Sequence, residues 1–167
     1  QDKDAIVKVF LKVFNEMQGF CGSMPYLADL ERRLTEEGRF EEFKHTFEEE
    51  YGDAWEDSRQ DFDFIQDTVV DVLADIGFMS EDAARNWCEK ATMEYQISIE
   101  DFARRVHAYI EQKGNNHHVV FLVDEIGQYI GDDSRLMLNL QTVTEELGKE
   151  CKGKAWVIVT SQQDIDS

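Results

Sequence analysis

Over the first 114 residues, apolar side chains recur every three or four positions, which predicts a series of six amphipathic helices. The first spans about residues 4–18, and its predicted buried face is Ile6, Val9, Phe10, Val13, Phe14 and Met17. The third carries an aromatic stripe that we expect to pack against a neighbouring helix, formed by Phe40, Phe43, Phe47 and Tyr51. The fourth is predicted as one long helix over about residues 54–75.

After the turn at residues 113–116 the pattern changes. Two short apolar runs, Val119–Val123 and Ala155–Val159, predict buried strands. Between them an apolar residue again recurs at helical spacing, and Ser134 is the predicted N-cap of that helix. Strand, helix and strand of these lengths predict a βαβ unit with parallel strands and a right-handed crossover.

The sequence therefore predicts a helix-dominated α/β protein in two regions. Residues 1–114 form an acidic helical region, and residues 115–167 form a βαβ unit of a partial parallel sheet. Open parallel sheets bind their ligands at the carboxyl ends of their strands. The side chains that follow the two strands are therefore the candidate site.

Asp124 and Glu125 follow the first strand. Hydrolysis of ATP needs one carboxylate to hold the water shell of Mg²⁺ and a second group to orient or deprotonate the attacking water. Adjacent residues at a strand end point in different directions, so Asp124 could face the metal, through water, and Glu125 the attacking water. The alternative is a strand that simply ends in acidic turn residues.

Thr160 and Ser161 follow the second strand. A hydroxyl at this position of a parallel sheet could contact the γ-phosphate of bound ATP. Ordinary termination of a strand by hydroxyl residues is the alternative, and proximity to Asp124 and Glu125 is what favours a binding role.

The phosphate-binding loop GxxxxGKS or GxxxxGKT is absent from the sequence. Gly148-Lys149 is followed by Glu150 and Gly153-Lys154 by Ala155, so neither pair has both the first glycine and the final hydroxyl residue of that motif. Without the cradle of backbone N–H groups and its lysine, we expect this chain alone to bind ATP weakly or not at all, and to be inactive by itself.

Cysteine and histidine positions predict neither a disulfide framework nor a metal site. Cys21, Cys88 and Cys151 are far apart and odd in number, which favours reduced thiols and a cytoplasmic location. His117 and His118 are neighbours on a strand and point to opposite faces.

Charge and hydropathy limit the partners. The formal net charge is −19, and both regions are acidic without a basic stripe, so direct binding of nucleic acid by these residues is disfavoured. No apolar stretch is long enough to span a membrane. A chain that begins without Met and ends just after a strand is expected to be a piece of a longer protein. The free edges of its truncated sheet favour a homo-oligomer or a domain swap, or else a βαβ unit less ordered than the helices.

Residues 119–166 read VVFLVDEIGQYIGDDSRLMLNLQTVTEELGKECKGKAWVIVTSQQDID. This stretch resembles the BrxC (PglY-like) P-loop, AAA+-type ATPases of BREX phage-defence systems. The resemblance covers less than a third of the chain and carries no Walker A loop. It implies that Asp124 is the magnesium-supporting Walker B acid, that Glu125 is the catalytic acid, and that Thr160 or Ser161 is sensor 1.

The resemblance also implies the setting. The full-length protein would use ATP and Mg²⁺, act with other phage-defence proteins, and contact DNA only through other regions. Two other functions are open on the sequence alone: a non-enzymatic, acidic helical module that binds a protein partner, and an acidic mimic of nucleic acid.

Overall fold

The structure is a computed structural model that describes residues 4–124 and 133–160. Packing divides the chain into two compact units. The sheet unit comprises Gln1–Leu11 and Ile97–Ser167, and the helical unit comprises Lys12–Gln96. The division between residues 114 and 115 that the sequence suggests stays a prediction.

The described elements follow one another along the chain as helices first and a small sheet last. They are α1 (Ala5–Met17), α2 (Pro25–Glu36), α3 (Phe40–Tyr51), α4 (Trp55–Ser58), a 3₁₀ turn (Arg59–Asp61), α5 (Phe62–Asp75), α6 (Glu81–Ala91), α7 (Ile99–Lys113), β1 (Val119–Val123), α8 (Ser134–Glu150) and β2 (Ala155–Val159).

An aromatic cluster forms the centre of the helical unit. The indole of Trp55 is fully buried and meets the rings of Phe43 and Phe47 edge-on, at centroid distances of 5.0 and 5.1 Å. Phe43 and Phe47 in turn stack on one another along α3. Phe43 and Phe47 of the predicted aromatic stripe therefore pack inside the unit as expected, whereas Tyr51 at its end is exposed.

The single long helix predicted over residues 54–75 is wrong. The chain there forms the one-turn helix α4, then the 3₁₀ turn, and only then α5. Trp55 packs in the aromatic cluster, and Arg59 binds a buried carboxylate on α2. Both contacts join residues that are distant in sequence. Helical periodicity along residues 54–75 carries no information about them.

In the sheet unit, β1 and β2 pair in parallel with Val119 opposite Ala155 and Val123 opposite Val159. One face of the pair is buried, through Val119, Phe121 and Ala155. On this side the rings of Phe10, Phe102 and Phe121 lie 5.1–6.2 Å apart. The parallel βαβ arrangement of the two strands and α8 is confirmed.

The buried face predicted for α1 is partly wrong. Ile6, Phe10 and Phe14 are buried as expected, but Val9, Val13 and Met17 are exposed, and Val7 and Leu11 take their place. Because α1 is apolar on most of its circumference, periodicity alone does not select which face is buried.

The architecture is thus helix-dominated with a small two-stranded parallel sheet, which fits the predicted helix-rich α/β class. Among the residues that the structure describes, no helix combines the length and the apolar character needed to cross a membrane.

Candidate functional site

The carboxyl ends of β1 and β2 lie side by side. The register places Val123 opposite Val159, and the N–H of Thr160 donates a hydrogen bond to the carbonyl of Val123 at 2.9 Å. This bond continues the ladder one residue past the second strand. Asp124 and Thr160, the next residues on the two strands, are therefore held as neighbours.

The side chains of these two neighbours interact directly. The Thr160 hydroxyl donates a hydrogen bond to Oδ1 of Asp124, and both residues are exposed to solvent. A carboxylate that accepts from a neighbouring hydroxyl has a restricted orientation, which is useful in a group that must present an oxygen to a ligand. The sequence placed these residues at adjoining strand ends, and there the structure brings them together.

Glu125 and Ser161, the other two predicted site residues, lie outside the described residues. Their predicted roles therefore stay predictions. The described part of the candidate site consists of Asp124, Thr160 and the strand ends that carry them.

The oxygen ligands predicted at this strand end are of the kind that Mg²⁺ prefers. Mg²⁺ prefers oxygen ligands, keeps several waters, and is usually held through one or two carboxylates together with substrate phosphates. Asp124 offers such a carboxylate, with Thr160 orienting it. Over residues 4–124 and 133–160, no group of three or more His, Cys, Asp or Glu side chains could hold a metal ion by itself.

The two adjacent histidines do not converge on a common point. The ring of His117 packs edge-on against Tyr109 at a centroid distance of 5.5 Å, whereas His118 is exposed.

The N-cap of helix α8 lies one residue earlier than the sequence predicts. Asp133, and not Ser134, is the N-cap: its Oδ1 accepts from the N–H groups of Arg135 and Leu136 at 3.0 and 3.4 Å. Asp is as good a cap as Ser, and its negative charge also suits the positive end of the helix dipole. The N-caps of α6 and α7 are serines, Ser80 and Ser98, whose hydroxyl oxygens accept from the N–H groups of Ala83 and Asp101.

The helical unit contains a buried ion pair that sequence reasoning missed. Glu31 on α2 is fully buried, and its carboxylate accepts from Arg59 Nη1 at 2.6 Å and from the Trp55 indole N–H at 3.2 Å. The N–H of Cys21 adds a third bond at 2.7 Å. Burial raises the pKa of Glu31 above its ordinary value, and these three donors oppose that rise.

A signal for this ion pair was present in the sequence. Glu31 follows Leu27 by four positions and precedes Leu34 by three, so it falls on the apolar face of α2. A charged residue on an apolar face predicts a buried partner. Nothing in the sequence, however, identified Arg59 as that partner.

A pair of acidic side chains, Glu50 and Asp75, lies on the surface of the helical unit. Glu50, near the end of α3, shares a hydrogen bond with Asp75, the last residue of α5. This bond, with repulsion from Asp75, Asp71 and Glu49, raises the pKa of Glu50 to about 7. A Glu50 carboxyl with this pKa is partly protonated near neutral pH.

The three cysteines are unsuited to act as nucleophiles. All are free and buried, and burial raises the pKa of Cys88 and of Cys151 to about 11. A thiol with such a pKa carries almost no thiolate at neutral pH. Their contribution is to the packing of the two cores.

Comparison with known proteins adds no assignment to this geometry. No protein-family model matches the chain, and no solved structure matches it.

Proposed function

We propose that this chain supplies the Walker B and sensor 1 strand ends of a P-loop ATPase resembling the BrxC proteins of BREX phage defence. One observation carries the proposal: a hydroxyl on one strand end orients a carboxylate on the next, at the carboxyl edge of a parallel pair joined by a helix. Nucleotide sites in open α/β sheets are built at that edge.

The proposed roles follow from what phosphoryl transfer to water requires. Asp124 would hold the water shell of Mg²⁺, and Glu125 would orient and deprotonate the attacking water. Bound Mg²⁺ would supply neutralisation of the phosphate charge. Because the Thr160 hydroxyl already donates to Asp124, we assign Thr160 to orienting that carboxylate and Ser161 to contacting the γ-phosphate.

The remaining parts of the site would come from a longer chain. The sequence has no Walker A loop, so the phosphate cradle must be supplied elsewhere for the site to bind ATP. With a net charge of −19, these residues suit contacts with other proteins of the defence system better than contacts with DNA.

Calorimetry with Mg-ATP tests the proposal. The chain alone should bind weakly or not at all, whereas a longer natural protein that contains it together with a Walker A loop should bind in the micromolar range. In the longer protein, Asp124→Asn should weaken binding about tenfold when Mg²⁺ is present and much less without it, because the Asp124 carboxylate acts through the metal.

Glu94→Gln is the matched control, because it removes one exposed carboxylate from a loop of the helical unit. Its affinity for Mg-ATP should equal that of the wild type. An Asp124→Asn protein with unchanged magnesium dependence would contradict the role of Asp124, and a longer protein that binds no nucleotide would contradict the ATPase function itself.

A protein-interaction module is the second candidate, and Phe64 is the observation that favours it. This side chain on α5 is 91% exposed, between Asp63 and Asp67. Exposed aromatic side chains are frequent anchors of protein interfaces. If this is the main function, Phe64→Ser should abolish binding to a partner from the defence system in biolayer interferometry, while Met93→Ser, which alters another exposed apolar side chain, should not.

A further inference from the structure

The outward side of α5 carries a row of four aspartates and one aromatic side chain. Its members, which we call the α5 outer face, are Asp63, Phe64, Asp67, Asp71 and Asp75, and all five are exposed. Four residues of α-helix rise about 6 Å and turn the chain slightly more than once, so the four carboxylates form a nearly straight row. The opposite side of α5 is buried in the core of the helical unit, which fixes the direction of the row.

This row of aspartates is unfavourable for the helix itself. Like charges four residues apart repel each other, and aspartate is a poor residue for the interior of a helix. In the part of the chain that the structure describes, Arg85 is the cation that pairs with the row: its Nη1 lies 3.3 Å from Asp67, and its Nη2 lies 3.1 Å from Glu81. Asp75 instead shares a hydrogen bond with another carboxyl group, that of Glu50. Most of the charge of the α5 outer face is therefore uncompensated within the helical unit.

Phe64 adds an apolar anchor to this charge. Its side chain is 91% exposed and lies between Asp63 and Asp67 on the same side of the helix. The ring gains no free energy from burial for as long as it stays in water. Exposed aromatic side chains of this kind supply much of the binding energy where proteins meet. The ring is an observation independent of the charge, and it indicates that the occupant is a protein surface and not a small cation.

Charge and geometry select among the possible occupants. The aspartate row repels nucleic acid and anionic membranes, and it repels the same face of a second copy of this chain. Its carboxylates are spread along the helix, and among the described residues no group of three or more His, Cys, Asp or Glu side chains could hold a metal ion. A helix with a cationic side chain at every fourth position has the same repeat of about 6 Å, so its charge is complementary to the row.

We propose that the α5 outer face docks a basic helical segment of another protein. Arginines or lysines at every fourth position of that segment pair with the aspartate row, and an apolar pocket beside them receives Phe64. One helix face is a small interface, so the association is weak and sensitive to salt. This inference rests on the second candidate function, whose partner it describes, and not on the proposed ATPase function.

Fluorescence anisotropy with two labelled synthetic peptides tests the proposal on the 167-residue protein. The first peptide is helical, with arginine at every fourth position and leucine beside the arginine row. The second has the same composition in an order that spreads the arginines around the helix. We expect the first peptide to bind with a dissociation constant on the order of 10 µM at physiological salt, and the second at least about tenfold more weakly, because only the first matches the aspartate row.

Variants matched in charge separate docking from general attraction to an acidic protein. The double variant Asp63→Asn, Asp71→Asn should weaken binding of the first peptide at least about tenfold. The control double variant Glu94→Gln, Glu100→Gln neutralises two exposed carboxylates elsewhere and should change the affinity less than about twofold. Phe64→Ser leaves the net charge unchanged and should weaken binding at least about fivefold. Circular dichroism establishes that each variant is folded.

Three results would overturn the proposal. Equal loss of affinity in the two double variants, or equal affinity for the two peptides, would show attraction by net charge alone. A Phe64→Ser protein that binds the first peptide as tightly as the wild type would remove the anchor. A partner from the defence system that binds through Phe64 in biolayer interferometry but has no basic segment would overturn this inference and leave the second candidate function standing.

Discussion

At the scale of single residues, Glu31 is expected to have a large effect on stability. Its carboxylate is fully buried and satisfies three donors from separate parts of the helical unit, including the Arg59 guanidinium. Removal of one partner of a buried ion pair leaves the other charge uncompensated. We therefore expect Glu31→Ala to lower the free energy of unfolding by about 3 kcal/mol in urea titrations followed by circular dichroism.

The control for this variant is Glu94→Ala, which removes an exposed carboxylate and should change stability by less than about 0.5 kcal/mol. An equally small effect of Glu31→Ala would mean that the buried ion pair does not hold the unit together.

The Glu50–Asp75 pair predicts a pH dependence. The pKa of Glu50 is raised to about 7 in the folded protein, from its ordinary value of 4.5. The folded state therefore binds the proton more tightly than the unfolded state, so this contribution is fully present below about pH 4.5 and is lost as the pH rises through about 7. Because the pair is exposed to solvent, the effect should be at most about 1 kcal/mol.

Melting temperatures of the wild type and Glu50→Gln between pH 5.5 and 8 measure this effect. The wild type should lose stability over that range, and the variant, which has no carboxyl group to titrate at this position, should lose less. Parallel curves for the two proteins would show that the Glu50 carboxyl does not titrate in this pH range.

At the scale of elements, the start of α8 offers two adjacent candidates for the N-cap, Asp133 and Ser134. Asp133 accepts hydrogen bonds from two N–H groups of the first turn, whereas Ser134 is already the first residue of the helix. Asp133→Ala should therefore destabilise the sheet unit by about 1 kcal/mol, and Ser134→Ala by less than about 0.5 kcal/mol. Denaturant unfolding compares the stabilities of the two variants. A larger loss for Ser134→Ala than for Asp133→Ala would identify Ser134 as the N-cap, as the sequence predicts.

Helices and strands were predictable wherever local spacing determines them. The two strands were visible in the sequence because each depends on a pattern over a few positions, and their parallel pairing followed because a helix connects them. The break between α4 and α5 was not visible, because it depends on contacts of Trp55 and Arg59 with distant residues.

At the candidate site, too, the sequence predicts where residues lie along the strands but not which side chains contact one another. The pattern of apolar runs placed Asp124 and Thr160 at adjacent strand ends, since parallel strands end at one edge. The hydrogen bond between their side chains could not be predicted, because it depends on the register of β1 and β2. Register is set by packing against the helices and by the length of the connection, neither of which a periodic pattern specifies.

For the whole molecule, the central claim is that its strand ends belong to an ATP-hydrolysing site. The most direct measurement is the steady-state rate of ATP hydrolysis by the longer protein that adds a Walker A loop, with Glu125→Gln compared with Glu94→Gln. The account predicts that Glu125→Gln lowers kcat at least about a hundredfold with Mg-ATP binding retained, while Glu94→Gln matches the wild type. Hydrolysis that is equally fast in both variants, or absent from the wild type, would contradict it.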